Sequence, residues 1–233
     1  MNKPIIGIVA KHDIKSEKIR TDSLIRDEVK QAVFDNDAIA IGILSPNDEI
    51  QYTTDNWVKY ESSIKKQEII EQINICDGII LQGGNSNETY ENWIAKYCYE
   101  NDIPVLGLCG GQNSITRALG GSTYKIKNPE KHNQQSEQYV HSIKIDKNSK
   151  FFEIIGKEEM MVNSRHNRDV DYCPELEKVA FSEEGYADVI ESKEKLFYLG
   201  TRFHPESLYK IDDDMNKIFK EFIKVCKNKY LWK

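Results

Sequence analysis

Hydrophobic and polar positions alternate along the first half of the chain in two different periods. Short apolar runs, typical of buried strands, occupy residues 5–10, 38–44, 79–81 and 105–108. Apolar residues three and four positions apart, typical of amphipathic helices, occupy residues 24–34, the second half of 52–76, and residues 88–100 and 112–119. Strands that alternate with helices at this spacing predict a parallel sheet covered by helices on both faces.

The pattern changes after Gly121, where short strand candidates follow one another with little room for helices. These candidates are residues 139–145, 160–163, 176–182, 187–191 and 196–203. Their spacing predicts that the sheet continues with antiparallel strands and hairpins. The polar segment 128–138, which precedes them, is predicted to form an exposed loop.

Residues 212–232 are predicted to form a C-terminal helix, with Met215, Phe219, Phe222 and Cys226 on one apolar stripe. Its lysines leave a membrane-surface helix as the alternative, but docking on the sheet is the preferred interpretation. Because no repeat or linker interrupts the chain, residues 1–233 are predicted to form a single domain. The expected fold is α/β: a three-layer, flavodoxin-like, mostly parallel sheet with helices on both faces and extra antiparallel strands in the C-terminal half.

Composition narrows the classes of partner and the compartment. The chain of 233 residues carries a formal net charge of −6, which disfavours nucleic acid because its phosphates would be repelled. No apolar run approaches the length of a membrane span, and the first apolar run is predicted to be a strand rather than a signal peptide. The five cysteines are odd in number and widely spaced, which favours neither a disulfide framework nor a zinc site. A cytoplasmic location is therefore expected.

The segment Gly107-Leu108-Cys109-Gly110-Gly111 joins a predicted strand to a predicted helix. A strand, a tight turn and a helix with a reactive residue at the corner form a nucleophile elbow, here with cysteine in the serine position. The flanking glycines suit a strained turn in which a Cβ would collide with the neighbouring strand. At a helix N-terminus the macrodipole favours thiolate over thiol. The alternative is a buried core cysteine beside an ordinary turn.

A nucleophilic cysteine needs a base, and that base needs an orienting carboxylate. Of the five histidines, His12 and His132 are expected to be solvated and His141 to make a structural hydrogen bond. His204 ends a predicted strand, and Pro205 holds it there because proline cannot continue the ladder. Glu206, two residues further on, can accept a hydrogen bond from the imidazole and set its tautomer. Alone this tripeptide would indicate a structural turn, but with the cysteine elbow upstream it indicates a catalytic pair.

Acyl transfer also requires donors for the developing oxyanion. The Gly110 N–H, directly after the cysteine, is one candidate donor. Gly83 and Gly84 follow the neighbouring parallel strand, at the edge of the sheet where ligands bind in doubly wound folds. A plain tight turn is the alternative interpretation of this glycine pair.

Taken together, the segments GIVAKHD, ILQGGN, PVLGLCGG with ALGGS, VNSRHN and GTRFHPES resemble a class I glutamine amidotransferase domain of the γ-glutamyl hydrolase branch. This branch is the peptidase C26, γ-glutamyl-γ-aminobutyrate hydrolase type. The resemblance covers nearly the whole chain. It implies that Cys109 is the nucleophile, His204 its base and Glu206 the orienting carboxylate, and that Gly84 and Gly110 form the oxyanion hole.

The resemblance also implies a substrate pocket, because VNSRHN matches the N-S-x-H segment that lines the γ-glutamyl pocket of the family. The implied substrate-binding residues are Gly83, Asn113, Asn163, Ser164, Arg165 and His166. Several positions depart from the family pattern. Gly110 stands where arginine is common, Asn113 and Arg168 each replace a glutamine, and NSNETYE lacks an expected proline. Retained hydrolysis of an altered substrate is therefore expected.

Two arginines near this segment could define that substrate. Arg165 and Arg168 could each offer forked donors to a carboxylate or a phosphate. Both could equally be surface arginines in salt bridges, and this is the preferred interpretation of Arg168.

Three hypotheses of function follow. The first is hydrolysis of the γ-glutamyl amide bond of a small γ-glutamyl conjugate, which releases glutamate through a Cys-His-Glu triad and a γ-glutamyl thioester. The alternative is a glutaminase subunit that supplies ammonia from glutamine to a separate synthetase or transferase partner. The third is a non-enzymatic protein that binds a metabolite or a partner. No cofactor and no metal are expected, a homodimer is left open, and the amine leaving group stays unidentified.

Overall fold

The computed structural model describes residues 3–14, 21–46, 65–84 and 89–228. The first residue of the predicted helix 88–100 and the last residues of 212–232 lie outside the described residues. The described strands are β1 (Ile5–Val9), β2 (Lys11–Ile14), β3 (Thr21–Leu24), β4 (Ile39–Ile43), β5 (Gly78–Leu81), β6 (Val105–Leu108), β7 (Ser122–Lys125), β8 (His141–Ile145), β9 (Glu159–Val162), β10 (Arg168–Tyr172), β11 (Glu177–Ser182), β12 (Ala187–Glu191) and β13 (Tyr198–Thr201). The described helices are α1 (Asp27–Asp35), α2 (Lys66–Asn74), α3 (Thr89–Glu100), α4 (Gly110–Ala118), α5 (Lys150–Ile155) and α6 (Asp213–Asn228).

Nine of the described strands form one sheet in the order β4-β1-β5-β6-β13-β12-β11-β8-β9. The first five strands pair in parallel, and the other four continue the sheet in antiparallel pairs. The predicted α/β fold with an antiparallel C-terminal extension is therefore confirmed. Because β5, β6 and β13 are parallel neighbours, the residues that follow Leu81, Leu108 and Thr201 meet at one edge of the sheet.

Two apolar clusters on opposite faces of the sheet produce the three layers. Ile6 and Ile8 face the cluster that α1, α5 and α6 cover, whereas Val9 faces the cluster of α2, α3 and α4. The alternation follows from the two-residue period of a strand. The predicted apolar stripe of α6 is buried in the first cluster, which confirms that this helix docks on the sheet. No helix among the described residues is long and apolar enough to cross a membrane.

Several element boundaries differ from those predicted. The first helix begins at Asp27 rather than residue 24, because Leu24 ends β3 and the extended Arg26 donates its backbone N–H to the Gln82 side chain. Helix α4 begins at Gly110, two residues earlier than predicted, so it starts directly after Cys109. The segment 128–138 is mostly exposed, as predicted, but it contains a short 3₁₀ turn at Pro129–Lys131 and the buried His132.

Five described elements were not predicted: α5, the pair β7 and β10, and the hairpin of β2 and β3. Helix α5 carries ordinary capping signals, because the Ser149 hydroxyl accepts the Phe152 N–H and Gly156 ends the helix in the left-handed region. At six residues it is too short to show a helical period. Strands β7 and β10 are polar, so neither has the apolar run from which strands are predicted. They also lie far apart in the sequence, so no hairpin pattern indicates their pairing.

Candidate active site

Cys109 lies at the corner between β6 and α4, with φ 47° and ψ −98°. This left-handed backbone is strained for a residue with a Cβ, and such strain concentrates at functional sites. The Cys109 N–H donates to the Thr201 carbonyl of β13 at 2.7 Å, which fixes the corner against the neighbouring strand. A Cβ on Gly111 would lie 2.0 Å from the Leu81 carbonyl oxygen, so only glycine fits there. The geometry is that of the predicted elbow.

His204 follows β13 on the adjacent strand and is oriented by two different side chains. Its Nδ1 lies 2.7 Å from Glu206 Oε1, within the 3₁₀ turn Pro205–Ser207. Asn163 holds its backbone from the other side: the amide Nδ2 donates to the His204 carbonyl at 2.8 Å, and Oδ1 accepts the His204 N–H at 2.7 Å. Both the ring and the main chain of His204 are therefore fixed.

Cys109 and His204 perturb each other's pKa. Burial acts to raise the pKa of the Cys109 thiol, but the charge and hydrogen bond of His204, together with Arg202, outweigh it and lower that pKa. Burial opposes the charge on His204 as well, yet Glu206 and Cys109 raise the pKa of this imidazole above its usual value. The pair therefore favours a thiolate beside an imidazolium, the form in which a cysteine is nucleophilic.

Gly84 and Gly110 bring two backbone segments together beside Cys109. A Cβ on Gly110 would lie 2.6 Å from the Gly84 oxygen and 3.0 Å from the Gly84 nitrogen. A side chain at this position would therefore collide with the loop after β5. Gly83 is equally confined, because a Cβ there would lie 3.0 Å from the His204 ring and 3.3 Å from the Cys109 Cβ.

Two cavities meet at Cys109. The larger cavity, of about 380 Å³, is lined by Gly84, Cys109, Gly110, Asn113, Lys125, Asn133, Gln135, Arg165, His166, Asn167, Arg168 and Arg202. The smaller cavity, of about 200 Å³, is lined by Arg26, Glu28, Gly84, Cys109, Gln135, Arg165, His204 and Glu206. His204 lines the smaller cavity and not the larger one, so the two sides of the site differ chemically.

The predicted substrate-binding residues fall into two groups. Asn113, Arg165 and His166 line the larger cavity. Asn163 and Ser164 are buried and do not line that cavity. Asn163 bonds the His204 backbone, and the Ser164 hydroxyl donates to the His132 carbonyl at 2.7 Å. Their side chains are thus placed to support the site rather than to touch a ligand. Gly83 likewise lies between His204 and Cys109 and outside both sets of lining residues.

Arg168 is half-buried and lines the larger cavity, where its Nε and Nη2 donate to the hydroxyl and the carbonyl of Thr123 at 3.1 and 3.0 Å. No carboxylate lies within ion-pair distance of it in the part of the chain that the structure describes. The preferred interpretation of Arg168 as a salt-bridged surface residue is therefore corrected. Arg165 donates through Nη1 to the Ser207 hydroxyl at 3.0 Å and lines both cavities.

Arg202 is a site residue that the sequence analysis missed. Only 1% of its surface is exposed, it lines the larger cavity, and its Nη1 donates to Asn113 Oδ1 at 2.7 Å. Its position two residues before His204, in the predicted strand 196–203, was the available signal because alternate residues of a strand share a face, although the strand ends at Thr201.

A cluster of histidines lies behind the larger cavity. His132 packs against His141 and His166 with ring centroids 4.9 and 5.2 Å apart, and it is buried rather than solvated as expected. Burial, then the charges of Arg202 and His132, lower the pKa of His166 to about 2, so His166 is neutral. His141 lies 3.4 Å from Asp188, which is a structural contact of the expected kind. Among the described residues, no group of three or more histidine, cysteine, aspartate or glutamate side chains is arranged to hold a metal ion.

The comparisons with known proteins agree with this geometry. The model of the Peptidase C26 family matches residues 85–206, which include Cys109, His204 and Glu206. A glutamine-hydrolyzing GMP synthase subunit of Methanococcus vannielii is 36% identical over 157 residues, which cover 66% of this chain and 75% of the relative. The corresponding subunit of Methanococcus aeolicus is 31% identical over 158 residues, which cover 67% of this chain and 78% of the relative.

A CTP synthase of Borreliella afzelii is 27% identical over 186 residues, which cover 64% of this chain but only 35% of that longer protein. A crystal structure from Thermoplasma acidophilum, described as that of a candidate GMP synthase subunit, superposes with a TM-score of 0.69 at 18% identity. The superposition covers 100% of this chain and 98% of the other, which shows that the two share a fold.

Fold, elbow and relatives together define a protein of the class I glutamine amidotransferase-like superfamily. Within this superfamily the chain belongs to the Peptidase C26 family. The protein is therefore a cysteine-dependent amidohydrolase.

Proposed function

We propose that this protein hydrolyses a γ-glutamyl C–N bond, with Cys109 as nucleophile, His204 as acid and base, and Glu206 as the carboxylate that orients His204. The observation that carries the proposal is the contact of Cys109 with a His204 whose ring and backbone are both fixed, by Glu206 at 2.7 Å and by Asn163. A pair that favours thiolate and imidazolium is already in the protonation state that acylation needs.

In the first half of the reaction the Cys109 thiolate attacks the γ-carbonyl carbon, and the carbonyl oxygen becomes an oxyanion. The backbone N–H groups of Gly84 and Gly110 are the proposed donors for this oxyanion, and their close approach beside Cys109 supports that role. The imidazolium of His204 gives its proton to the leaving nitrogen, the C–N bond breaks, and a γ-glutamyl thioester remains on Cys109.

In the second half His204 is neutral and takes a proton from water. The resulting hydroxide attacks the thioester carbonyl, the C–S bond breaks, and glutamate leaves while the proton restores the imidazolium beside the thiolate. Throughout both halves Glu206 keeps the same ring nitrogen of His204 directed at the reaction.

Glutamine is the substrate that the relatives support. Several of these relatives are named as subunits of a glutamine-hydrolyzing GMP synthase. On this basis we propose that the chain releases ammonia from glutamine for a separate synthetase or transferase partner.

A dedicated hydrolase of a γ-glutamyl conjugate is the second candidate, and the smaller cavity favours it. His204 lines this cavity, so the leaving amine would lie there, and about 200 Å³ is several times the ~30 Å³ that a water-sized molecule such as ammonia takes up. A larger amine could therefore fit beside His204.

Release of glutamate by the purified protein alone, from glutamine and from a panel of γ-glutamyl amides, tests the proposal. Mass spectrometry of the quenched reaction should show the acyl group on Cys109. Cys109→Ala should abolish both signals, whereas Cys173→Ala, which removes another partly buried thiol away from both cavities, should change neither.

The outcomes separate the hypotheses. Rapid release from one conjugate and little from glutamine would establish the dedicated hydrolase. Slow release from glutamine alone would indicate a subunit that needs its partner. No release and no acyl-enzyme from any amide, with Cys109 still open to alkylation, would contradict the proposal and favour a binding protein.

A further inference from the structure

The larger cavity has an unbalanced charge. Lys125, Arg165, Arg168 and Arg202 line it, and no aspartate or glutamate is among the described residues that do. This excess of cations occurs in a chain whose formal net charge is −6, so it is a local feature and not a consequence of a basic protein. A cavity with this charge attracts anions and repels an ammonium group.

Arg202 is the cation that lies deepest in this cavity. Its side chain is almost wholly buried, and Asn113 fixes one end of the guanidinium through Nη1. The other donors, Nε and Nη2, have no hydrogen-bond partner among the described residues. A buried donor without a partner is costly, and more so when it is charged, so a ligand that accepts from it is strongly favoured.

The nearest buried carboxylates do not fill this role. Asp169 and Asp188 act on the charge of Arg202 from a distance, and neither forms an ion pair with it within the described part of the chain. Asp169 instead accepts the Ala187 N–H at 3.0 Å and the Tyr124 hydroxyl at 3.2 Å. Asp188 faces His141 at 3.4 Å. Both carboxylates are therefore committed elsewhere.

The two cavities assign the two halves of a substrate. His204, which must reach the leaving nitrogen, lines the smaller cavity and not the larger one. The acyl half of an amide bound at Cys109 therefore extends into the larger cavity, toward Arg202. This step rests on the proposed function, because it takes His204 as the acid.

We propose that Arg202 is the specificity-determining residue for the acyl half, and that its free N–H groups bind the carboxylate at the far end of the acyl chain. The α-ammonium group of a γ-glutamyl substrate finds no carboxylate among the described residues that line this cavity, and it is not required. The acceptable substrates are then amides of dicarboxylic acids, with or without an α-amine.

Three small amides test this assignment. Glutamine carries both an α-ammonium group and an α-carboxylate. Glutaramate keeps the carboxylate but lacks the amine, whereas 4-aminobutanamide keeps the amine but lacks the carboxylate. We expect kcat/KM for glutaramate to lie within about tenfold of that for glutamine. For 4-aminobutanamide we expect a loss of about 10²-fold or more, because the buried guanidinium stays unpaired.

Arg202→Gln should raise KM for glutamine by about 10²-fold with a smaller change in kcat, and should remove most of the discrimination against 4-aminobutanamide. Arg202→Lys keeps a charge but not the forked donors of a guanidinium, so its KM should lie between those of wild type and Arg202→Gln. It also keeps the test available if Arg202→Gln does not fold. Arg117→Gln is the matched control, because Arg117 is a half-buried arginine of α4 that lines neither cavity.

Binding of glutarate to the Cys109→Ala protein, measured by calorimetry, separates this inference from the proposed hydrolysis. Binding that is weakened on adding Arg202→Lys and lost on adding Arg202→Gln supports the carboxylate anchor even if no amide is turned over. Equal binding with and without Arg202, no binding of glutarate at all, or equal turnover of 4-aminobutanamide and glutamine would overturn it.

Discussion

The parallel half of the sheet and the polar wall opposite it build the candidate site in different ways. In the parallel half, Cys109 and His204 follow adjacent strands, and Thr201 bonds Cys109 across the pair, so strand pairing alone brings the two residues together. The wall, residues 122–172, is held next to the cavity partly by the pairing of Lys125 in β7 with Arg168 in β10 and partly by irregular segments. There two irregular segments hold each other, through His166 N–H to the His132 carbonyl and Gln134 N–H to the Ser164 carbonyl.

This difference predicts different sensitivities. Changes at Cys109, at His204 and at the groups that orient them should lower kcat, because these residues carry or position the reacting atoms. Changes in the wall should act on substrate affinity, on the placement of His204 and on stability. Four predictions test this contrast, from the largest expected effect to the smallest.

Glu206→Gln should lower kcat about 10³-fold with little change in KM, because the amide cannot stabilise the imidazolium or keep its tautomer. Steady-state kinetics and the alkylation rate of Cys109 would measure it. Glu28→Gln is the control, since Glu28 lines the smaller cavity but has no part in orienting His204. A kcat within threefold of wild type would show that Glu206 is a structural residue.

Gly110→Ala should lower kcat about 10²- to 10³-fold, because its Cβ would lie 2.6 Å from the Gly84 oxygen and would push apart the two proposed oxyanion donors. Gly120→Ala has open space around the Cβ but a φ of 78°. It should therefore cost about 1–2 kcal/mol in free energy of unfolding and leave kcat unchanged. Loss of stability without loss of kcat in Gly110→Ala would contradict the oxyanion assignment.

Asn163→Ala should lower kcat about 10- to 10²-fold, because it removes both hydrogen bonds that hold the His204 backbone. Ser164→Ala, which loses only the bond to the His132 carbonyl, should have a smaller effect on kcat. Comparison of kcat and KM for the two variants decides whether Asn163 supports His204. A change in KM alone would place Asn163 in contact with substrate instead.

Stability should fall as the pH drops below about 6.5, the ordinary histidine pKa, because His166 and His132 are kept neutral by burial. Both pKa values are lowered in the folded protein, so below pH 6.5 the unfolded chain binds more protons than the folded state. The free energy of unfolding therefore decreases. Each histidine contributes at most about 1.4 kcal/mol per pH unit. Denaturant titrations from pH 7.5 to 5 should show a steeper loss for wild type than for His166→Gln. Parallel curves would contradict the burial of a neutral His166.

The site residues differ in how far the sequence could locate them. Cys109 and its elbow could be identified because glycines and a short apolar run restrict the local backbone, whatever the rest of the chain does. Asn163 was predicted as a site residue, but its hydrogen bonds to the His204 backbone were not, since a family motif identifies a position and not the direction of its side chain. Arg202 was not predicted as a site residue although His204 lies two residues away, because a lone arginine just after a strand gives no sign of what lies opposite.

The sequence by itself determined the α/β fold, the elbow at Cys109 and the pairing of His204 with Glu206, because each depends on residues close together in the chain or on one repeating apolar period. Only the tertiary structure decided the composition of the cavity. The contact of Arg202 with Asn113 spans 89 positions and that of Asn163 with His204 spans 41. The charge around a substrate is the sum of such distant contacts, and no local pattern of residues encodes it.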